Sequence, residues 1–193
     1  MKRDALRLRR SVVLATFLLL AGAVCEAQPP AQWQPRGPGG GGALFAPVFS
    51  PHNANEIYLA CDMSEQFRST NLGASWAVTD FRQIQGNREA QVRFTSDPLV
   101  RYALDYTNDL TTPSRSTDGG ATWKRLTSDP TGGGAYALFV DDGATNRILV
   151  SDYSHVYFSS DGGATFAQKF STASGNGCFV AGAFFDGANI YVG

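Results

Sequence analysis

The chain is predicted to be all-β, built from short four-stranded units, and three observations predict it. First, the stretch Ser116-Thr117-Asp118-Gly119-Gly120-Ala121-Thr122-Trp123 returns as Ser159-Ser160-Asp161-Gly162-Gly163-Ala164-Thr165-Phe166, with a worn copy at Ser69-Thr70-Asn71-Leu72-Gly73-Ala74-Ser75-Trp76. Second, the leading serines stand 47 and 43 residues apart, the spacing of a solenoid or propeller repeat. Third, the apolar residues between the copies fall in short runs broken by turn residues, with no helical periodicity. Four strands per unit of about 45 residues make the blade of a β-propeller.

The first residues stand outside that fold. Lys2, Arg3, Arg7, Arg9 and Arg10 form a basic start, Val12 to Val24 an apolar core, and Cys25-Glu26-Ala27 a small-residue cleavage site before Gln28. Residues 1–27 therefore read as a signal peptide, and the run is too short to span a membrane. A lipoprotein reading through Cys25 and a twin-arginine reading through Arg9-Arg10 are the alternatives, and each also means export, to a secreted or periplasmic location.

Residues 28–42 are a Gly/Pro-rich leader, and residues 43–193 a partial propeller. The signal holds five of the 16 basic and two of the 17 acidic residues, so the mature chain carries 11 against 15 and a net charge near −4. That balance argues against nucleic acid or an anionic membrane as partner. Cys61 and Cys178 remain after cleavage, and both a disulfide and two separate thiols fit an exported chain. No Cys/His spacing suits a metal, and no cofactor motif is present.

Aligning the three turn motifs aligns the strands. First strands are expected at 43–49, 91–95, 135–140 and 178–185, and second strands at 56–61, 100–104, 147–151 and 189–192. Third strands at 66–69, 114–116 and 156–159 lead into the motifs, and fourth strands at 76–81, 123–126 and 166–170 leave them. Three units are complete. Gly193 is expected to interrupt the second strand of a fourth, which implies further blades in the parent protein and an open blade edge through which copies can associate.

The motif has a physical reading as a turn. Asp118 and Asp161, with Asn71 in the worn copy, sit where a side-chain oxygen can accept backbone N–H groups of the turn it starts. Gly120 and Gly163 sit where a positive φ is wanted. Trp123, Trp76 and Phe166 open the next strand and are placed to bury a ring between sheets. A catalytic reading of these aspartates is weaker, because a catalyst needs no copy in every blade whereas a turn does.

The motif resembles the Asp-box, or BNR repeat, of sialidases, sortilin-type receptors and certain endoglucanases. The first unit is further similar to the opening of glycoside hydrolase family 74, the xyloglucanases. The similarity is carried by Trp33, the run Gly39 to Gly42, Ser50-Pro51, the strand Ile57-Tyr58-Leu59-Ala60-Cys61-Asp62, and Phe67-Arg68. The resemblance implies that Asp62 is the general base of an inverting endo-β-glucanase, and that the acid partner lies in a later propeller, so this chain alone is expected to be inactive. Such chemistry needs two carboxyl groups about 6.5–9.5 Å apart. Where that family has glycines after the Asp, this chain has Ser64-Glu65, a change beside the proposed site.

A structural reading of Asp62 stands beside the catalytic one. Asp152 lies nine residues before Asp161, as Asp62 lies nine before Asn71, so an Asp here can simply cap the second strand of each blade. Asp105 is a weaker echo, displaced by a longer loop at 107–113. Of the tyrosines, 102, 136 and 157 alternate within strands and are assigned to the core, while the loop-adjacent Tyr106 and Tyr153 are the candidates for stacking on sugar rings.

The expected partner is thus a polysaccharide or glycan. A non-catalytic Asp-box propeller that binds protein or glycan at the cell surface is the alternative. A sialidase ranks third, because Arg36, Arg68 and Arg93 are present without an Arg-Ile-Pro-type opening. His52 is placed in a solvated turn and His155 at a strand start, with no nucleophile marked beside either. Gly39 to Gly42 lacks the Lys-Ser/Thr of a phosphate loop, and Asp141-Asp142-Gly143 reads as a plain turn rather than a calcium loop.

Overall fold

The computed structural model describes residues 32, 34–39, 42–172, 177 and 179–193. The signal peptide, Trp33, Gly40, Gly41 and Cys178 lie outside the described residues. The repeats all fall within one unit, Pro35–Gly193.

They fold as successive antiparallel sheets, each in strand order. The first holds β1 (Leu44–Phe49), β2 (Ile57–Cys61), β3 (Gln66–Ser69) and β4 (Ala77–Val78). The second holds β5 (Arg93–Phe94), β6 (Arg101–Thr107), β7 (Leu110–Ser116) and β8 (Lys124–Arg125). The third holds β9 (Ala137–Val140), β10 (Ile148–Ser151), β11 (His155–Ser159) and β12 (Ala167–Ser171). A final hairpin pairs β13 (Ala183–Asp186) with β14 (Asn189–Val192).

The sheets stand radially. Phe49, Phe94, Phe139 and Phe185, one from each first strand, line a common cavity of about 380 Å³, so β1, β5, β9 and β13 are the innermost strands. Between the sheets lie the apolar cores. Tyr58, Ile84, Val92, Phe94, Ala103 and Trp123 join the first and second blades. Tyr102, Leu104, Leu138 and Val150, with Phe166 against them, join the second and third. In the second and third blades the aromatic after the box motif therefore packs on the preceding blade. Trp76, in the first described blade, donates its indole N–H to the Arg36 carbonyl at 2.7 Å. A third core, around Leu149, Val156 and Val180, joins the last hairpin to the third blade.

Two expectations need correction. Residues 107–113 are not a loop: β6 and β7 extend as a hairpin closed by Asn108 and Asp109 at φ 55° and 60°. Both residues tolerate the left-handed region, which suits a tight turn whose twist matches the strands. Pro113 fits inside β7 because its carbonyl accepts from Leu126 N–H just past the two-residue β8. The side lacking an N–H therefore faces the end of a ladder already closed. Nor do the first two fourth strands run to their expected length: β4 holds only Ala77–Val78 and β8 only Lys124–Arg125, while the β13–β14 pairing continues through Gly182 and Gly193.

Candidate functional site

Antiparallel order sends successive turns to alternate ends of the blades. Box turns and first-to-second-strand turns share one end. Second-to-third-strand turns and blade-to-blade connections share the other. The two ends carry different chemistry.

At the box end the same bonds recur three times. The serine hydroxyl donates to Asn71 Oδ1 at 3.0 Å, to Asp118 Oδ1 at 2.8 Å and to Asp161 Oδ1 at 2.7 Å. The same hydroxyl oxygen accepts the N–H of Gly73, Gly120 and Gly163, each at 2.8 Å. The Asn or Asp Oδ1 then accepts the N–H four residues on, each at 2.9 Å. Thr122 and Thr165 hydroxyls donate to the second carboxylate oxygen at 2.5 and 2.6 Å. In the worn copy that bond runs the other way, Asn71 Nδ2 donating to Ser75 Oγ at 2.9 Å. The threonine hydroxyls, followed by the backbone donors, hold Asp118 and Asp161 down to about 2.

A buried ion network bolts this end across blades. Glu56, 2 % exposed, receives both terminal nitrogens of Arg101 at 2.8 and 2.9 Å, and Arg68 Nε at 2.8 Å. Arg101 also donates to Tyr58 Oη at 2.6 Å. Burial alone would raise the Glu56 carboxyl, but the two guanidinium groups outweigh it and hold it low. Gly120 lies directly against this network: a Cβ there would overlap Tyr58 Oη.

At the opposite rim Asp62, Tyr106 and Tyr153 stand at one count along the second strands, Tyr106 inside β6 opposite Thr111 and the other two in the turns just past β2 and β10. Ile57, Arg101 and Ile148 each face a box serine, and the three residues follow them by five. By the same register Asp105 and Asp152 stand level with Cys61, so the equal count from the box motif does not make Asp152 the counterpart of Asp62. From the residue facing the box serine to that serine, the hairpin of the first blade is one residue longer than that of the third, and that of the second is longer still.

Asp62 is exposed, and its Oδ1 accepts Ala43 N–H at 2.8 Å while its own N–H donates to the Ala43 carbonyl at 3.2 Å. The side chain therefore closes the β1–β2 ladder and still faces solvent. Cys61 is buried beneath it, 3.7 Å from Asp62 Oδ1, and burial raises its thiol. Gly42 passes close: a Cβ there would stand 2.7 Å from Cys61 Sγ and 2.9 Å from Asp62 Oδ1. Ser64 adopts φ 77°, so the turn retains a conformation that favours glycine although the residue is serine.

Tyr106 Oη donates to Asp109 Oδ1 at 3.0 Å, and that carboxylate raises the phenol. Tyr153 is 50 % exposed and packs with Tyr136 and Phe179, at ring separations of 4.6 and 5.3 Å. Phe179 is itself 63 % exposed, so the three rings form a surface platform. Beside it Asp152 accepts the N–H groups of Ser154 and His155 at 2.7 and 2.6 Å and faces His155 Nδ1 at 3.1 Å. Burial pushes the Asp152 carboxyl up, but these donors prevail and lower it.

Sequence reasoning missed Tyr136 and Phe179 because only tertiary packing brings them to Tyr153. His52 is exposed, as its turn placement predicts, and its Nε2 also lies 2.8 Å from the Thr95 carbonyl of the next blade, a contact that the sequence does not reveal. Asp141 is occupied by Gly143 N–H at 2.9 Å and Arg147 at 2.6 Å, the bonding of a turn. Among the described residues no group of three or more His, Cys, Asp or Glu is placed to hold a metal, and no helix is long and apolar enough to cross a membrane.

The BNR/Asp-box repeat model matches residues 114–125. An ancestral GH74 enzyme is similar in structure with TM-score 0.63 at 22% identity, over 86% of this chain and 23% of that one. The GH74 xyloglucanase from Xanthomonas campestris gives 0.50 at 20%, over 64% and 23%. YCF48 from Cyanidioschyzon merolae gives 0.52 at 19%, over 66% and 39%. No curated protein matches by sequence. The chain thus spans about a quarter of the GH74 chains, and likeness at these identities carries the fold rather than the activity. Its box turns and radial four-stranded sheets make the chain an Asp-box β-propeller, here three blades and the first two strands of a fourth.

Proposed function

We propose that the protein is an exported, glycoside-hydrolase-like propeller that engages a β-glucan such as xyloglucan along the rim of Asp62, Tyr106 and Tyr153. The observation that carries this reading is that each lies five residues past the residue facing its box serine, at one end of three successive blades, next to an exposed platform of three aromatic rings. Aromatic faces offer apolar surface to sugar C–H groups, and a polymer crossing the rim meets one such residue per blade. In a catalytic version Asp62 activates water as general base, and a carboxylic acid from another part of the parent protein protonates the leaving oxygen. In this reading the described blades contribute glycan binding, and hydrolysis requires that second carboxyl group as well. Calorimetric titration with xyloglucan oligosaccharides tests the reading. Tyr153→Ala is expected to weaken binding at least about tenfold, the loss of one stacked ring. In any chain that hydrolyses the glycan and carries these blades, Asp62→Ala abolishes hydrolysis with a smaller effect on binding than Tyr153→Ala. Full binding by Tyr153→Ala defeats the glycan-facing rim.

A second reading, a non-catalytic surface propeller, is favoured by one bond: Asp62 Oδ1 is already used to cap Ala43 N–H. Glycan binding without hydrolysis by any chain that carries Asp62 selects it, whereas unchanged hydrolysis by Asp62→Ala removes only the catalytic role of Asp62. Association of copies belongs to either reading, through the apolar groove of about 810 Å³ between β12 and the last hairpin. Concentration-dependent size in gel filtration measures it.

A further inference from the structure

Residues 79–92 connect the first blade to the second, and they do more than join them. Ile84 anchors the connection, fully buried in the core between the two blades. The next two residues then reach both rims at once. Gln85 N–H donates to Asp105 Oδ1 at 2.7 Å, and the Gln85 carbonyl accepts Tyr106 N–H at 3.1 Å. Gly86 N–H donates to the Ser64 carbonyl at 3.0 Å, inside the turn that carries Asp62. Backbone meets backbone there: a Cβ on Gly86 would overlap the Glu65 carbonyl oxygen and stand 3.1 Å from Cys61 N. The Glu65 carbonyl in turn accepts Cys61 N–H at 2.9 Å, next to Asp62.

The far anchor is rigid. Asp105 is fully buried, its Oδ1 also accepts the Thr107 hydroxyl at 3.0 Å, and Arg125 Nε of β8 holds its other oxygen. A buried carboxylate whose oxygens are all engaged has no low-energy alternative placement. The near anchor needs a brace, because Ser64 is held in the left-handed region at φ 77°, a conformation that disfavours a residue with a Cβ.

The geometry points to Gln85-Gly86 as a brace that fixes the spacing between Asp62 and Tyr106, with Gly86 and Asp105 as positioning residues of the rim. The role in glycan binding rests on the function proposed above; the mechanical coupling does not. Two residues adjacent in sequence bond the Asp62 turn on one side and the Tyr106 backbone on the other. Movement of either rim residue therefore drags the other.

Amide hydrogen exchange and xyloglucan-oligosaccharide titration on the whole chain, in wild type, Gly86→Ala and Asp105→Asn, test this. In both variants the Cys61, Gly86 and Tyr106 amides are expected to exchange at least about tenfold faster, while the Gly120 and Gly163 amides of the box turns keep their rates. Glycan affinity falls at least about tenfold in parallel, the size expected when a binding constellation is misplaced. Asp105→Asn keeps an acceptor for Gln85 and supplies the reading should Gly86→Ala not fold. Unchanged exchange at Cys61 and Tyr106 overturns the brace, and so does an equal rise at Gly120 and Gly163, which marks general loosening. Normal affinity with local exchange raised overturns the positioning role alone. A wild type that binds no glycan defeats the proposed function, while the exchange data still judge the coupling.

Discussion

The two ends of each blade solve opposite problems. At the box end, three turns place the same atoms in the same bonds, and the Ser hydroxyl oxygen accepts the glycine N–H at 2.8 Å in every copy. At the rim, the place five residues past the one facing each box serine holds Asp62, Tyr106 and Tyr153, an acid in one blade and a phenol in the next two. Uniform bonding is what a fastener requires, since each blade presents the same geometric need. Divergence at a fixed position on the same scaffold is what recognition of an extended, chemically uneven ligand requires. The difference teaches that regularity in this chain marks structure, and the proposed function rests on the departures from it.

The largest effect should come from breaking the fastened end where it crosses blades. Glu56→Ala leaves Arg101 buried without its carboxylate, a loss of about 3–5 kcal/mol for a broken buried pair. Urea unfolding should show most or all of the stability gone. A loss below about 1 kcal/mol would mean that the network behaves as a surface pair, and the contrast between the ends would weaken.

Gly120→Ala comes next. The residue has φ +82°, and its Cβ would overlap Tyr58 Oη and stand 3.2 Å from Arg101. Left-handed strain and overpacking together predict a loss of about 2–4 kcal/mol. Gly132 gives the internal control: it also has positive φ, but a Cβ there would meet nothing within 4 Å, so alanine should show the strain alone. Equal losses at both positions, read from denaturant midpoints, would remove the cross-blade contact from the explanation.

Acid reads the box turns collectively. Asp118 and Asp161 titrate at about 2, below the ordinary 3.8, chiefly because the hydroxyls of Thr122 and Thr165 donate to them. A folded value below the unfolded one means that the stabilisation is fully present above about pH 4 and is lost as pH falls towards 2. The melting temperature should therefore drop between pH 4 and 2, and the double variant Asp118→Asn with Asp161→Asn should drop less over that window. An unaltered slope would place the acid sensitivity elsewhere, with Glu56 as the next group to test.

The fastened end was legible in the sequence because its chemistry is local. A serine, an aspartate two residues on and a glycine two beyond that form a closed set of bonds within one turn, and copying makes the set visible. The strand order followed from it, since fixing three turns fixes the intervening register. The rim was legible only residue by residue. Asp62 was recognisable through its strand, but its equivalence to Tyr106 and Tyr153 depends on hairpin lengths that differ between blades, and counting from the box paired it with Asp152 instead. The Tyr136, Tyr153 and Phe179 platform and the Gln85-Gly86 brace join residues that no local rule connects. Gly86 has no positive φ to betray it; its need is a close approach by Glu65, which exists only in three dimensions.

The smallest effect compares the ends at one matched defect. Leu72 holds the place of Gly119 and Gly162 in the worn box, at φ 56° against 72° and 74°, with its side chain half exposed. Leu72→Gly removes strain of about 1–2 kcal/mol and adds about 0.4–1 kcal/mol of unfolded-state entropy, a net gain of about 1 kcal/mol or less. Ser64→Gly does the same at the rim, where φ is 77°. The Ser64 carbonyl bond to Gly86 is a backbone bond, so the substitution leaves it intact and the two gains should match. A clearly smaller gain for Ser64→Gly in thermal unfolding would show that the serine side chain itself supports the Asp62 turn. Local side-chain chemistry, rather than the brace alone, would then hold the rim.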